Sequence, residues 1–269
     1  MAGTETMNQM DMFLTGIKTQ GFVIRALMLR ELQQRFGRSN IGYLWVVAEP
    51  MLLASVITLL NSVVEHNLGT GISPFTFTLT GYSIYIIFRN TFNRSEGALH
   101  ASGALLYHRM VTPFDIILSK SLVETLGCMS ALLILQSAGI MAGVAELPAR
   151  PIYLLGALAL FSWWSFALSL IAASYAYTSP FIGRMIHPIS YFSLPLSGAF
   201  VTMSILPPWT HPYLALNPMV SVFEMARYGQ FTQAPYTYVD IGYVVSFSTI
   251  ASYWGLLAIR RIRKHIHVA

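Results

Sequence analysis

Long apolar stretches separated by short polar segments dominate this chain. Several of them reach the roughly 20 residues that an α-helix needs to cross a bilayer. The pattern predicts six transmembrane helices, at about Ile41–Val64, Ile72–Asn93, Pro113–Ala145, Ile152–Thr178, Met185–Leu206 and Val239–Ile259. The third begins with a helix-start pattern, because Thr112 can cap, Pro113 suits the first helical position and Asp115 lies three residues after the cap. We therefore predict an all-α integral membrane protein.

A further helix is predicted before the first span, from about Ile17 to Phe36. Its last three turns have one apolar and one polar face. The apolar face contains Met28, Leu29, Leu32 and Phe36, and the polar face contains Arg30, Glu31, Gln34, Arg35 and Arg38. This amphipathic pattern favours an interfacial helix on the cytoplasmic membrane surface. A soluble helix packed on a partner is the alternative.

The segment from Pro207 to Tyr238, between the fifth and sixth spans, has an unusual pattern. Asn217 can cap a short apolar helix that Pro218 opens and Gly229 can end. This helix is apolar yet too short to cross a bilayer. We therefore predict a re-entrant or interfacial hairpin, and a loosely packed surface loop is the alternative.

The distribution of charge supports this arrangement. Only 10% of the residues are charged, whereas a soluble domain carries roughly 25%. The net charge of +5 comes from basic residues that flank the spans, between Lys18 and Arg38 and between Arg260 and Lys264. The positive-inside rule places both termini in the cytoplasm, and this distribution argues against a nucleic-acid partner. We expect a cytoplasmic N-terminal part (1–38), a six-span domain (39–260) and a basic cytoplasmic tail (261–269).

No catalytic or metal-binding constellation is predicted. The chain has no G-x-x-x-x-G-K-[ST] stretch to cradle ATP phosphates and no histidine pair at helical spacing with a carboxylate. The single cysteine, Cys128, excludes an internal disulfide and a multi-cysteine metal site. Lys120 and Glu124 lie four residues apart in the third span and can pair on one face. They could line a pathway for an anionic substrate or form a structural pair near the cytoplasmic mouth.

Residues 30–50 carry a motif that resembles a known family. The motif consists of Arg30-Glu31-Leu32, Arg35-Phe36-Gly37-Arg38-Ser39, Gly42-Tyr43-Leu44-Trp45 and Glu49-Pro50. It is similar to the signature of ABC type-2 permeases that export polysaccharides, and most similar to the KpsM-type capsular polysaccharide permeases of Gram-negative bacteria. The stretches at 105–113 and 217–229 resemble later segments of the same family. The resemblance covers essentially the whole chain in matching order.

The resemblance implies a transport subunit without its own catalysis or cofactor. It implies a homodimer with a channel between the subunits, in the bacterial inner membrane and in contact with membrane lipid. Two ATP-binding subunits would supply ATP and Mg²⁺. The implied substrate is a lipid-anchored acidic polysaccharide, moved from cytoplasm to periplasm and passed to a periplasmic adaptor and an outer-membrane partner.

Three groups of site residues follow from this resemblance and from the candidate residues above. The expected cytoplasmic entrance, where a lipid head group would be recruited, contains Arg30, Arg35, Arg38, Trp45 and Glu49. The expected channel or exit lining contains Tyr82, Tyr85, Asn217, Glu224 and Arg227. The expected coupling surface for the ATP-binding subunits contains Arg94, Glu96, His108 and Arg109.

Other functions remain as alternatives at this point. A permease for another polymer, such as O-antigen or teichoic acid, would have a similar sequence. A membrane-embedded enzyme that modifies lipid or sugar would need a clustered carboxylate, histidine or serine site, and the acidic residues here are scattered. A secondary transporter would be expected to show ion-coupling charges in mid-span and two related halves, and neither is evident in the sequence.

Overall fold

The computed structural model describes residues 9–36, 48–49, 51–60, 72–106 and 110–266. These residues form helices and connecting segments, with no strand among them. The helices are α1 (Gln9–Phe36), α2 (Met51–Leu60), α3 (Pro74–Asn93), α4 (Ala98–Ala101), α5 (Gly103–Leu106), α6 (Pro113–Met141), α7 (Pro151–Thr178), α8 (Pro180–Leu196), α9 (His211–Leu214), α10 (Pro218–Gln230) and α11 (Ile241–Ile266). The all-α class is therefore confirmed for the part of the chain that the structure describes.

Three of the described helices are long and apolar enough to cross a membrane. They are α6, α7 and the first 22 residues of α11, from Ile241 to Ile262. Their length and composition fit an integral membrane protein. The helices α2, α3 and α8 overlap the predicted first, second and fifth spans, and the total of six spans remains a prediction.

Helix α7 lies at the centre of the described bundle. It packs against α3, α6, α8, α10 and α11. Its buried side carries many small residues, among them Ser165, Ala167 and Ser169. Small residues let helix backbones approach closely where lipid offers no hydrophobic driving force. On α11, Gly255 lies so close to α7 that a Cβ added to it would be 2.7 Å from the Cβ of Leu170.

Helix α3 is enclosed by its neighbours. Every residue from Thr76 to Phe88 is buried. Its second half joins an aromatic cluster, in which the ring of Phe88 lies 5.1 Å from that of Trp164 on α7. On α7, the ring of Phe161 lies 5.3 Å from that of Phe223 on α10. The cluster therefore connects α3, α7 and α10 through large apolar contacts.

The start of α6 has the predicted geometry. The hydroxyl of Thr112 accepts a hydrogen bond from the backbone N–H of Asp115 at 3.3 Å. In return, the Asp115 carboxylate accepts one from the backbone N–H of Thr112 at 2.9 Å. Pro113 occupies the first turn, where its missing N–H has no partner to lose. The predicted capping pattern is confirmed.

The predicted bounds of the fifth span, Met185–Leu206, are wrong. Helix α8 runs from Pro180 to Leu196, so it starts and ends earlier. Pro180 stands in the first turn and fixes a helical φ there, while Ser179 before it is extended. Just beyond the helix, Gly198 has a φ of +80°, which ends the helical path at little steric cost.

Candidate functional site

Five charged side chains pair near the end of the bundle where α3 ends. We call them the charged cluster, and they are Glu31, Glu49, Arg94, Lys120 and Glu124. Arg94, at the C-terminus of α3, places Nε 2.6 Å from Oε1 of Glu124 and Nη2 3.9 Å from Oε2 of Glu49. Lys120 Nζ lies 2.5 Å from Oε2 of Glu31 on α1. The cluster therefore links α1, α3 and α6.

Glu124 is the most deeply buried member of the charged cluster. Its side chain is only 4% exposed. Besides Arg94, it accepts a hydrogen bond from Asn90 Nδ2 at 3.1 Å. Taking a carboxylate out of water is costly unless charged and hydrogen-bonding partners compensate. Arg94 and Asn90 supply this compensation from α3.

The spacing of Lys120 and Glu124 allowed a pair within one helix. The structure gives each of them a partner on another element, Glu31 for Lys120 and Arg94 for Glu124. These partners lie 89 and 30 residues away in the sequence, so helical periodicity alone does not reveal them. Both side chains fasten α6 to its neighbours.

Two of the four predicted coupling residues lie in the described part of the chain. Arg94 belongs to the charged cluster. Glu96, in the turn between α3 and α4, places Oε2 3.0 Å from Nε2 of His187 on α8. The turn after α3 therefore contacts α6 through one side chain and α8 through another. His108 and Arg109 lie outside the described residues.

The predicted entrance residues are described only in part. Arg30 lies half-buried on α1, and Glu49 pairs with Arg94. The side chain of Arg35, and the whole of Arg38 and Trp45, lie outside the described residues. Helix α1 packs along α6, where Gln20 Nε2 donates a hydrogen bond to Asp115 Oδ1 at 2.5 Å.

A buried ion pair organises the region around α10. Arg227 Nη1 donates to Oε1 of Glu224 at 2.8 Å, and the two side chains are 8% and 1% exposed. The same Glu224 oxygen accepts from the backbone N–H of Met203 at 2.9 Å. Arg227 also donates to the carbonyl of Gly198 and lies 4.6 Å from the ring centre of Phe77. The pair therefore holds segment 198–203, which follows α8, against α10 and α3.

Asn217 and Pro218 start α10 as predicted. The Asn217 side-chain oxygen accepts from the backbone N–H of Met219 at 3.1 Å. Its amide nitrogen donates to the carbonyl of Leu196 at 2.8 Å, so the cap also contacts the end of α8. Every residue of α10 except Tyr228 is buried. The alternative of a loosely packed surface loop is therefore wrong for α10.

The C-terminus of α10 has a partner that the sequence did not suggest. Arg150 Nη1 donates to the carbonyls of Tyr228 and Phe231 at 2.9 and 3.2 Å. Its guanidinium also lies 4.1 Å from the ring centre of Tyr228. A basic side chain at this end satisfies carbonyls that the helix leaves unpaired. The only visible signal was an arginine in a short connecting segment.

Tyr82 and Tyr85 are buried between α3 and the α8 region. The Tyr85 hydroxyl donates to the carbonyl of Ser190 and lies 3.0 Å from the hydroxyl of Ser193. The Tyr82 ring stacks on Phe200 at a centroid distance of 6.1 Å. Both rings hold α3 against α8 and the segment after it. A direct contact between these rings and a transported sugar remains a prediction.

Comparison with known proteins places this architecture in a family. Residues 23–231 match the family described as ABC-2 type transporter. The chain belongs to this family. The match extends from α1 through α10, so it includes the charged cluster and the Glu224–Arg227 pair.

Similar proteins extend the comparison to nearly the full length of this ABC-2 chain. It is 32% identical to the capsule polysaccharide export inner-membrane protein CtrC of Neisseria meningitidis serogroup B, over 94% of this chain and 96% of CtrC. It is 32% identical to the capsule polysaccharide export inner-membrane protein BexB of Haemophilus influenzae, over the same shares. It is 28% identical to the polysialic acid transport protein KpsM of Escherichia coli, over 91% of this chain and 95% of KpsM.

Proposed function

We propose that this chain is the membrane-embedded permease subunit of an ATP-driven exporter. Its substrate is a lipid-anchored acidic capsular polysaccharide, which it moves from the cytoplasm to the periplasm. The observation that carries the proposal is the near full-length similarity to CtrC and BexB, whose names describe capsule polysaccharide export at the inner membrane. Membership of the ABC-2 type transporter family supports the same function.

The proposed assembly is a homodimer of six-span subunits with both termini in the cytoplasm. Two separate ATP-binding subunits bind ATP and Mg²⁺, so this chain is not an enzyme and needs no cofactor. A periplasmic adaptor and an outer-membrane partner receive the polymer. The three long apolar helices and the basic residues beside the spans support this arrangement. Within it, residues 1–38 form the cytoplasmic part, 39–260 the permease domain and 261–269 the tail.

The charged cluster is the proposed route from the ATP-binding subunits to the spans. A push on the turn after α3 would move Arg94 and Glu96 together. Glu124 is too deeply buried to lose Arg94 without a large electrostatic cost, so α6 would follow Arg94. Glu96 would carry the same motion to α8 through His187. His108 and Arg109 extend this coupling surface in our proposal.

In our proposal the entrance residues retain the role expected from the sequence, whereas the exit residues act indirectly. Arg30, Arg35 and Arg38 recruit an anionic head group at the cytoplasmic surface, with Trp45 and Glu49 beside them. At the other end, Asn217, Glu224 and Arg227 shape the exit by fixing segment 198–203 rather than by touching the polymer. Their burial and mutual hydrogen bonds support this indirect role. Tyr82 and Tyr85 fix the adjoining face of α3.

Deleting the chain and locating the polymer tests the proposed function. We expect labelled polymer only in permeabilised cells of the deletion strain, because synthesis continues while export stops. Reintroducing the full chain should return polymer to the surface of intact cells. Complete absence of polymer would point to a biosynthetic role, and unchanged surface polymer would remove the proposal.

A further inference from the structure

A cavity of 520 Å³ lies beside α10, between this helix and the start of α11. Its wall combines Ser221 of α10 with Tyr238 and Asp240, which precede α11, and Tyr243 of its first turn. Ligand sites for small molecules commonly measure 300–1,000 Å³ and combine apolar walls with a few convergent polar groups. The cavity is thus large enough for one or two sugar rings.

The polar groups of the cavity are held in place by one another. Ser221 Oγ accepts from the backbone N–H of Asp240 at 2.7 Å, which leaves the hydroxyl proton of Ser221 to donate to a ligand. Asp240 Oδ1 accepts from the backbone N–H of Tyr243 at 2.8 Å, which leaves Oδ2 to accept from one. The wall therefore offers a donor and an acceptor in fixed positions.

The two aromatic rings are also fixed. The Tyr243 hydroxyl donates to the carbonyl of Leu216 at 2.7 Å. The Tyr238 ring packs against His211 with a centroid distance of 5.3 Å and an interplanar angle of 75°. A ring that is already ordered loses little conformational entropy when a ligand binds. The cavity thus has rigid aromatic walls of the kind that stack on the apolar face of a pyranose.

We propose that this cavity binds a sugar unit of the exported polymer as it leaves the protein. Tyr238 and Tyr243 contact the apolar face of the ring, while Asp240 and Ser221 hydrogen-bond to its hydroxyls. Among the described lining residues, Asp240 is the only charged one, so among the units of an acidic polymer the site favours an uncharged, hydroxyl-rich sugar over one that carries a carboxylate. The inference rests on the proposed function and on the placement of residues 207–238 outside the membrane.

The proposal moves the polymer contact away from the predicted exit residues. Glu224 and Arg227 lie on the same helix as Ser221 but are buried and satisfy each other. Buried charges that are already paired have little left to offer a passing hydroxyl. Asp240, in contrast, is exposed to the cavity and needs no rearrangement to accept a hydrogen bond.

Cysteine protection in living cells tests the proposal. Thr237 lines the cavity and is exposed, whereas Thr232 is exposed on the same connecting segment and is not part of the wall. Thr237→Cys and Thr232→Cys would each be made in a Cys128→Ser background, so that the introduced thiol is the only one in the chain. A membrane-impermeant maleimide would then be applied to cells with polymer synthesis active or blocked.

We expect polymer to protect Thr237→Cys only. Its labelling should be about tenfold slower during synthesis, as for a site occupied about nine-tenths of the time, while Thr232→Cys should react equally in both states. Equal labelling of Thr237→Cys with and without polymer would overturn the inference. Labelling of Thr237→Cys that is much slower than labelling of Thr232→Cys even when synthesis is blocked would also overturn it, because a protein partner would then cover the cavity.

Substitutions of the wall provide a second readout that separates this inference from the proposed function. In the Thr237→Cys background, Tyr238→Ala or Asp240→Asn should abolish most of the protection, whereas Tyr213→Ala, at an exposed position outside the wall, should not. If both wall variants keep full protection, the sugar site is wrong even if the deletion strain traps polymer. If the deletion strain exports normally, the proposed function itself fails.

Discussion

At the scale of single residues, the Glu224–Arg227 pair decides how the region after α8 is held. Both side chains are almost fully buried, and between them they contact the backbone at Gly198 and Met203. Their spacing of three residues was visible in the sequence. Their backbone partners were not, because Gly198 and Met203 lie 29 and 21 residues away from the groups that bind them.

Arg227→Ala should destabilise the protein strongly. Removing the arginine leaves the Glu224 carboxylate buried without its cation, which costs about 3–5 kcal/mol in the free energy of unfolding. Thermal unfolding of the purified chain in detergent measures this loss. The matched control is Arg260→Ala, at an exposed position, where we expect a change within about 0.5 kcal/mol.

A double variant sharpens this test. Glu224→Leu combined with Arg227→Met leaves no buried charge without its counter-charge, although the Met203 N–H and the Gly198 carbonyl lose these partners. It should therefore be more stable than Arg227→Ala alone. If Arg227→Ala unfolds at the same temperature as Arg260→Ala, the ion pair does not hold this region.

At the scale of helices, the contact between α3 and the segment after α8 depends on a residue without a side chain. A Cβ on Gly81 would collide with the backbone carbonyl of Ala199. Next to it, Tyr82 stacks on Phe200. The glycine therefore allows the close approach on which the stacking and the Tyr85 contacts depend.

Gly81→Ala should push α3 and the segment after α8 apart. Overpacking of this kind costs about 1–3 kcal/mol because backbone must shift, and we expect surface polymer to fall together with the unfolding temperature. Gly16→Ala is the control, since a Cβ there meets nothing within 4 Å. In a helix that change should be neutral or stabilise by up to about 1 kcal/mol. If Gly81→Ala and Gly16→Ala had the same unfolding temperature and the same amount of surface polymer, the close contact between α3 and Ala199 would be contradicted.

The helices also show which parts of the fold the sequence could predict. The start of α6 was predictable because Thr112, Pro113 and Asp115 act within one turn. The long apolar helix α7 was also predictable, because its apolar composition is a property of one continuous stretch of sequence. The bounds of α8 were not, because a proline or a glycine is compatible with more than one helix start or end, and the packing of α8 against α7 and α3 selects among them.

The sequence could predict which charged residues lie near the candidate site, but not which of them contact each other. The sequence placed Arg94 and Glu96 between the second and third spans and Lys120 and Glu124 within the third. It could not show that Arg94 reaches Glu124, because this contact depends on how α3 and α6 pack. The sequence likewise placed Asn217, Glu224 and Arg227 close together at α10, and their role at the exit stays a prediction. The cavity beside them depends on the start of α11, which is distant in the sequence.

At the scale of the whole molecule, we propose a passive subunit that a separate ATPase drives. The charged cluster lies at one end of the bundle, and α7 connects the elements around it to α10 and α11. Motion at the turn after α3 can therefore reach the region beside α10 through packed helices. ATP hydrolysis on that separate subunit would then move polysaccharide through this chain.

Transport into inside-out vesicles of the inner membrane tests that claim most directly. Labelled polymer is added outside, and the measurement is the amount that becomes protected from an added depolymerising enzyme. We predict protection that requires both this chain and hydrolysable ATP, and that a protonophore does not affect. Protection without ATP that a protonophore abolishes would identify a secondary transporter, and chemically altered polymer would identify an enzyme; either result would contradict the account.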